Sequence, residues 1–386
     1  MPALHPMRTD PSTPITRRTC LKRLGFALAA NAIPSAFAAD AEPKPTSEEL
    51  ATLAGIAQKF LEQYNAPGLS VAIARHGQIV YAEGFGVADK ATNDKVTPAH
   101  LFRIASVSKP ITSVAIYTLI EQGKLKLDDL VFGTSGLLGA DYGKVDQPFV
   151  EEITLHHLLT HTCGGWGNKA NDPMFGHTSM NHHDLIVWTL KNQALENKPG
   201  TRYAYSNFGF CVLGRVLEKL TGKPYEKYVQ SEILAKCGVQ DMQIGGNTAT
   251  ERAKNEVAYY AQNGGDPYRM NVRRMDSHGG RIATPSDLVK FATHVDGFKT
   301  VKNILERKTI DTMVAPSTAN PRYGSGWFVN EIPNWWHTGS LPGTATIMVR
   351  TARGLCWAAF TNTRSEGLNL DSMMWKMATA VPAWKA

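Results

Sequence analysis

Ser106, Val107, Ser108 and Lys109 head a long stretch whose pattern predicts a helix running to about Gln122. Residues three apart on a helix share one face, so the Ser106 hydroxyl lies beside the Lys109 amine. An amine whose pKa is lowered by desolvation or by another cation can take the hydroxyl proton and turn the serine into a nucleophile. A serine at a helix N-terminus also has free backbone N–H groups near it, suited to a developing oxyanion. Further along, Tyr205, Ser206 and Asn207 follow a turn at 198–201 and precede a helical pattern at 212–220, a loop position of the kind that carries function. A tyrosine beside a lysine can share and relay its proton, and an asparagine amide can orient a substrate carbonyl. A third group, His337-Thr338-Gly339-Ser340, lies between two β-like runs. Glycine there lets a substrate approach an edge strand closely, and Ser340 can offer a second oxyanion N–H. Each group alone is common; the three in this order are a specific signal.

The elements that must position them follow from periodicity. Ser47 opens a helical pattern reaching about Tyr64, and β patterns at 69–75 and 79–85 flank the turn His76-Gly77. The middle of the chain is helical or irregular and rich in Gly, Asn, His and Pro. β character returns at 326–331, 345–351 and 355–361, and 369–380 reads as a closing helix. Strands at both ends with helices between imply one α/β domain built from 47–124 and 286–386, carrying a helical insertion at 125–285.

The three groups resemble the signature elements of the serine β-lactamases and penicillin-binding proteins, which share the Ser-x-x-Lys pattern. The class C β-lactamases and their relatives, the D-alanyl-D-alanine carboxypeptidases, D-aminopeptidases and β-lactamase-like esterases, are the most similar over about 47–382. Flanking residues agree: Gly123-Lys124-Leu125-Lys126-Leu127-Asp128-Asp129, Leu155 to Thr162, and Gly279-Gly280 before Ser286-Asp287-Leu288. The resemblance implies an α+β fold with an antiparallel sheet flanked by helices. It implies a serine hydrolase acting on an ester, a D-amino-acid peptide or a β-lactam through a Ser106 acyl-enzyme. Ser106, Lys109 and Tyr205 are then catalytic, Asn207, His337, Thr338, Gly339 and Ser340 bind substrate, the Ser106 and Ser340 amides form the oxyanion hole, and no cofactor is needed. The alternative is a penicillin-binding or sensor-type protein acylated at Ser106 with little turnover. Three departures stand out: His337 where class C enzymes usually have lysine, Cys163 where relatives commonly have serine, and a segment from Trp166 to His183 that aligns with no specificity and is expected to shape the pocket. An unperturbed His337, with a pKa near ~6.5, would become charged in mild acid and then attract a substrate carboxylate.

Residues 1–38 read as an export leader, followed by a linker at 39–46. Arg17-Arg18 precede an apolar run from Leu24 to Ala32 and a small-x-small site at Ala36-Phe37-Ala38. The paired arginines resemble a twin-arginine signal and place the protein in the periplasm. The run is short of the ~20 residues a membrane span needs. The leader holds five Lys/Arg and one Asp, so the remainder carries 36 basic against 33 acidic residues, a formal +3 rather than +7. No basic run with interleaved aromatics survives there, which gives nucleic-acid binding no support. Cys163, Cys211, Cys237 and Cys356 allow three complete pairings, and Cys211 sits in an apolar stretch as a small core residue. His157 and His161 lack the intervening glutamate of a zinc-protease helix, and no Gly-x-Ser-x-Gly elbow occurs. The partner is a small-molecule or peptide substrate.

Overall fold

The computed structural model describes residues 41–169, 172–261 and 264–384. The expected leader at 1–38 and the first residues of the linker lie outside the described residues. The first helix, α1 (Ser47–Tyr64), starts at a capping box in which Thr46 and Glu49 satisfy each other's backbone N–H groups. Two strands follow, β1 (Gly68–Arg75) and β2 (Gln78–Asp89), and then the short β3 (Asp94–Lys95). Near the C-terminal end come β4 (Phe328–Val329), β5 (Trp335–Leu341), β6 (Thr344–Arg350) and β7 (Leu355–Thr361). These seven form one antiparallel sheet in the order β3-β2-β1-β7-β6-β5-β4. The two chain ends meet at its centre, where Leu69 faces Thr361 and Arg75 faces Leu355.

The run Leu-Ser-Val-Ala-Ile-Ala in β1 is apolar without a clean alternation because both faces of the sheet are covered. Leu69, Val71 and Ile73 pack in one core with Leu53 and Phe60 of α1 and with Met373 and Met377 of the closing helix Leu370–Ala380. Ala72 and Ala74 face a second, larger core on the other side, lined by the helix α2 (Ser108–Glu121) and by α3 (Asn207–Thr221). The helix α4 (Pro285–Thr293) lies across β1 and β7 on that side. From Ser108 to Leu119, α2 is buried on every face, including its polar Ser108, Lys109, Thr112, Ser113 and Thr118. Cys163, Cys211, Cys237 and Cys356 are buried free thiols. Among the described residues no helix is long and apolar enough to cross a membrane.

The sequence reading marks a strand at 326–331 and a group between strands at 337–340. Only Phe328–Val329 is strand in the first, and the second lies inside β5. Pairing imposes the latter: Thr338 faces Ile347 and Ser340 faces Ala345 of the apolar β6, and this overrides the weak strand propensity of Thr-Gly-Ser.

Candidate active site

Ser106 sits in a one-turn 3-10 helix, Ala105–Val107, that leads straight into α2. Ala105 just before it has φ +48°, a left-handed conformation that costs an alanine roughly 1–2 kcal/mol. The turn is held by packing: Ala105 is buried against Met275 and Leu341. Strand β5 lies directly on this turn. Gly339 makes the approach possible, since a Cβ there would collide with the Ile104 carbonyl and the Thr346 hydroxyl.

Lys109 is wholly buried, and its Nζ lies 3.1 Å from Ser106 Oγ, 2.7 Å from Asn207 Oδ1 and 3.0 Å from the His278 carbonyl oxygen. Burial holds its pKa well below the ordinary lysine range, with the Asp172 carboxylate pulling the other way. The last two neighbours can only accept. A neutral Lys109 therefore spends both N–H groups on Asn207 and His278 and leaves its lone pair for the Ser106 hydroxyl proton. Tyr205 is in hydrogen-bonding reach of Ser106, and its ring centre is 4.7 Å from Lys109 Nζ. Burial pushes its phenol pKa above the ordinary range, so Tyr205 is a neutral proton donor at neutral pH.

His337 is buried at 1% exposure and ends a directional chain. The Ser206 backbone N–H donates to His161 Nδ1 (3.1 Å), which leaves the proton of a neutral His161 on Nε2. That N–H donates to the Tyr323 hydroxyl (3.0 Å), and the hydroxyl donates to His337 Nε2 (3.2 Å). His337 Nδ1–H closes the chain on the Thr338 carbonyl (2.6 Å). A backbone donor at one end and a backbone acceptor at the other fix every proton between. Burial, with Lys109 nearby, drives the His337 pKa down to about 3. This environment differs from that of the unperturbed histidine considered above: desolvation first, and Lys109 second, disfavour the charged ring.

Both amide protons of Asn207 have partners inside the protein, Asp172 Oδ2 (2.8 Å) and Asn168 Oδ1 (3.3 Å). Thr338 and Ser340 alternate to the face of β5 opposite His337 and Gly339, where they line a cleft of about 550 Å³ with Arg364, Glu366 and Asn369. Any part Ser340 takes in an oxyanion hole is therefore through its backbone. Asp172, Tyr323 and the His278 carbonyl were not found from sequence. Asp172 caps the short helix Pro173–Gly176 ahead of a first-turn proline, but nothing local marks it as part of this site.

The beta-lactamase family model matches residues 53–375. The chain belongs to the beta-lactamase family. Its relatives include protein flp of Staphylococcus aureus strain MW2, 24% identical over 76% of this chain and 59% of flp. Esterase EstB of Burkholderia gladioli is 28% identical over 66% of this chain and 65% of EstB. The chain thus spans less than two thirds of the length of either relative. Among solved structures, the D-amino acid amidase of Ochrobactrum anthropi SV3, complexed with L-phenylalanine amide, superposes with a TM-score of 0.71. It is 22% identical and covers 88% of this chain and all of the amidase. That likeness fixes the β-lactamase-like α+β fold.

Proposed function

We propose that this chain is an exported serine hydrolase that cleaves a neutral ester or amide through an acyl-enzyme on Ser106. The observation that carries the reading is the buried Lys109 Nζ held among Ser106 Oγ, Asn207 Oδ1 and the His278 carbonyl; in its neutral form two N–H groups serve the last two and the lone pair is left for Ser106. Neutral Lys109 takes the Ser106 proton as Oγ bonds to the substrate carbonyl carbon, and the backbone N–H groups of Ser106 and Ser340 receive the oxyanion. Tyr205 donates its proton to the departing alkoxide or amine and regains one from the Lys109 ammonium. Water, losing its proton along the same route in reverse, then releases the acid and restores Ser106. Neutral substrates are favoured because His337 supplies no cation for a carboxylate. An esterase and a D-amino acid amidase among the similar proteins accord with this.

The test is a panel of nitrophenyl esters, a D-alanyl amide and a cephalosporin, with intact-mass spectrometry after fluorophosphonate or penicillin. Wild-type enzyme should turn over ester or amide, and Ser106→Ala should lose all but a hundredth of that activity and every adduct, since losing a nucleophile typically costs about that or more. A penicillin adduct that persists for hours without ester or amide turnover would make it a penicillin-binding sensor instead. Export is part of the proposal: Arg17→Lys with Arg18→Lys should leave precursor in the cytoplasm, and unchanged periplasmic yield would reject the twin-arginine route.

A further inference from the structure

The segment from Trp166 to His183 reaches the catalytic lysine through one residue. Asp172 is 8% exposed and divides its carboxylate. Oδ1 accepts the Met174 N–H (3.0 Å) and starts the short helix Pro173–Gly176, while Oδ2 accepts from Asn207 Nδ2 at 2.8 Å. A side-chain amide can face its site in either of two ways, but a carboxylate only accepts. Asp172 therefore forces the NH2 end of Asn207 toward itself and the oxygen toward Lys109. The segment is firmly seated. The Arg274 guanidinium donates to the carbonyls of Met174 (2.8 Å), His177 and Met180 (2.6 Å), and the Asn168 N–H donates to the Tyr205 carbonyl (2.7 Å). The chain that carries Arg274 continues to His278, the other acceptor of Lys109.

We propose that Asp172 is a positioning residue of this site: by fixing the orientation of the Asn207 amide, it aims the lone pair of Lys109 at Ser106. The proposal rests on the hydrolase reading above. The titratable groups facing Lys109 are Tyr205, His161, His278, His337 and Asp172. Asp172 is the one that opposes the effect of burial on the lysine. The role thus has two readouts, one in geometry and one in charge.

Steady-state kinetics on one neutral nitrophenyl ester test it. Asp172→Asn keeps the size but lets Asn207 present either end to Lys109. Its kcat should fall roughly ten- to a hundredfold, with KM within about threefold of wild type. The acidic limb of kcat/KM should move to lower pH, because the anion that favours the ammonium form is gone. In an Asn207→Ala background the same substitution should cost less than about twofold more, since there is no amide left to orient. A folded Asp172→Asn enzyme with wild-type kcat and acidic limb overturns the proposal, as does an equal loss in both backgrounds. If Asp172→Asn yields no folded protein, Asp172→Glu decides: activity with a wild-type acidic limb supports the role, and a folded, inactive enzyme overturns it. Failure of the hydrolase reading would look different, because the wild-type protein would then turn over neither ester nor amide, whether or not Ser106 keeps an acyl group.

Discussion

A lysine becomes a base at neutral pH only when its surroundings penalise the ammonium, and a neighbouring histidine helps only if its own charge is under control. Here burial first, and Lys109 second, disfavour charge on both His161 and His337, and the Tyr323 hydroxyl bridges the two rings. One consequence is kinetic. The ratio of kcat/KM for an anionic and a neutral ester should stay constant from about pH 5.5 to 8, because no charge appears on His337 until near pH 3. A ratio that climbs as pH falls through 6.5 would mean that His337 titrates as a free imidazole. A second consequence is energetic. Tyr323→Phe leaves His161 Nε2–H and His337 Nε2 without their shared partner in a buried site, at about 1–3 kcal/mol for each group stranded. Urea unfolding should show a loss of at least ~2 kcal/mol, and a Tyr323→Phe enzyme as stable as wild type would break the chain as drawn.

At the scale of elements, the site is a meeting of three: the strained turn before α2, the loop before α3, and β5. Sequence marked the residues of all three, the first two by their offsets from helix starts, but it read 337–340 as lying between strands where the structure has them inside β5. α1 was legible, since the helical pattern read from Ser47 to about Tyr64 spans the observed helix; the structure adds the Thr46–Glu49 capping box and the left-handed Asn65 that bound it. Asp172 and Tyr323 were not legible. Their partners lie 35 and 162 residues away along the chain, at Asn207 and His161, and no local period encodes a contact of that range. The close seat of β5 on the Ser106 turn gives a prediction of its own. Gly339→Ala must push the strand away from the Ile104 carbonyl. Overpacking of this kind costs about 1–3 kcal/mol, and a shift approaching 1 Å at the site about a hundredfold in rate. Chemical denaturation and kcat/KM on the same sample should show both losses; full activity would mean β5 has slack against the turn.

Across the whole molecule, the buried histidines tie folding to pH. His161, His278 and His337 are each held below the ordinary imidazole range, by burial first and by Lys109 second. Released by unfolding, each would bind a proton near its ordinary pKa of about 6.5. Between that value and the depressed folded-state pKa, the unfolded chain carries more protons than the native one. Stability is therefore highest above pH ~6.5 and falls as pH drops, by up to about 1.4 kcal/mol per unit for each histidine. Asp172, Glu256 and Asp296 work the other way. Burial raises their folded-state pKa values, so they take up protons sooner in the native protein and soften the slope. Between pH 7.5 and 5.5 the unfolding free energy should thus drop by about 2–4 kcal/mol, with the urea midpoint moving down and the slope of the transition unchanged. A midpoint that holds steady across this interval would show that these three imidazoles accept protons inside the fold, and the neutral chain from Ser206 to Thr338 could not then stand.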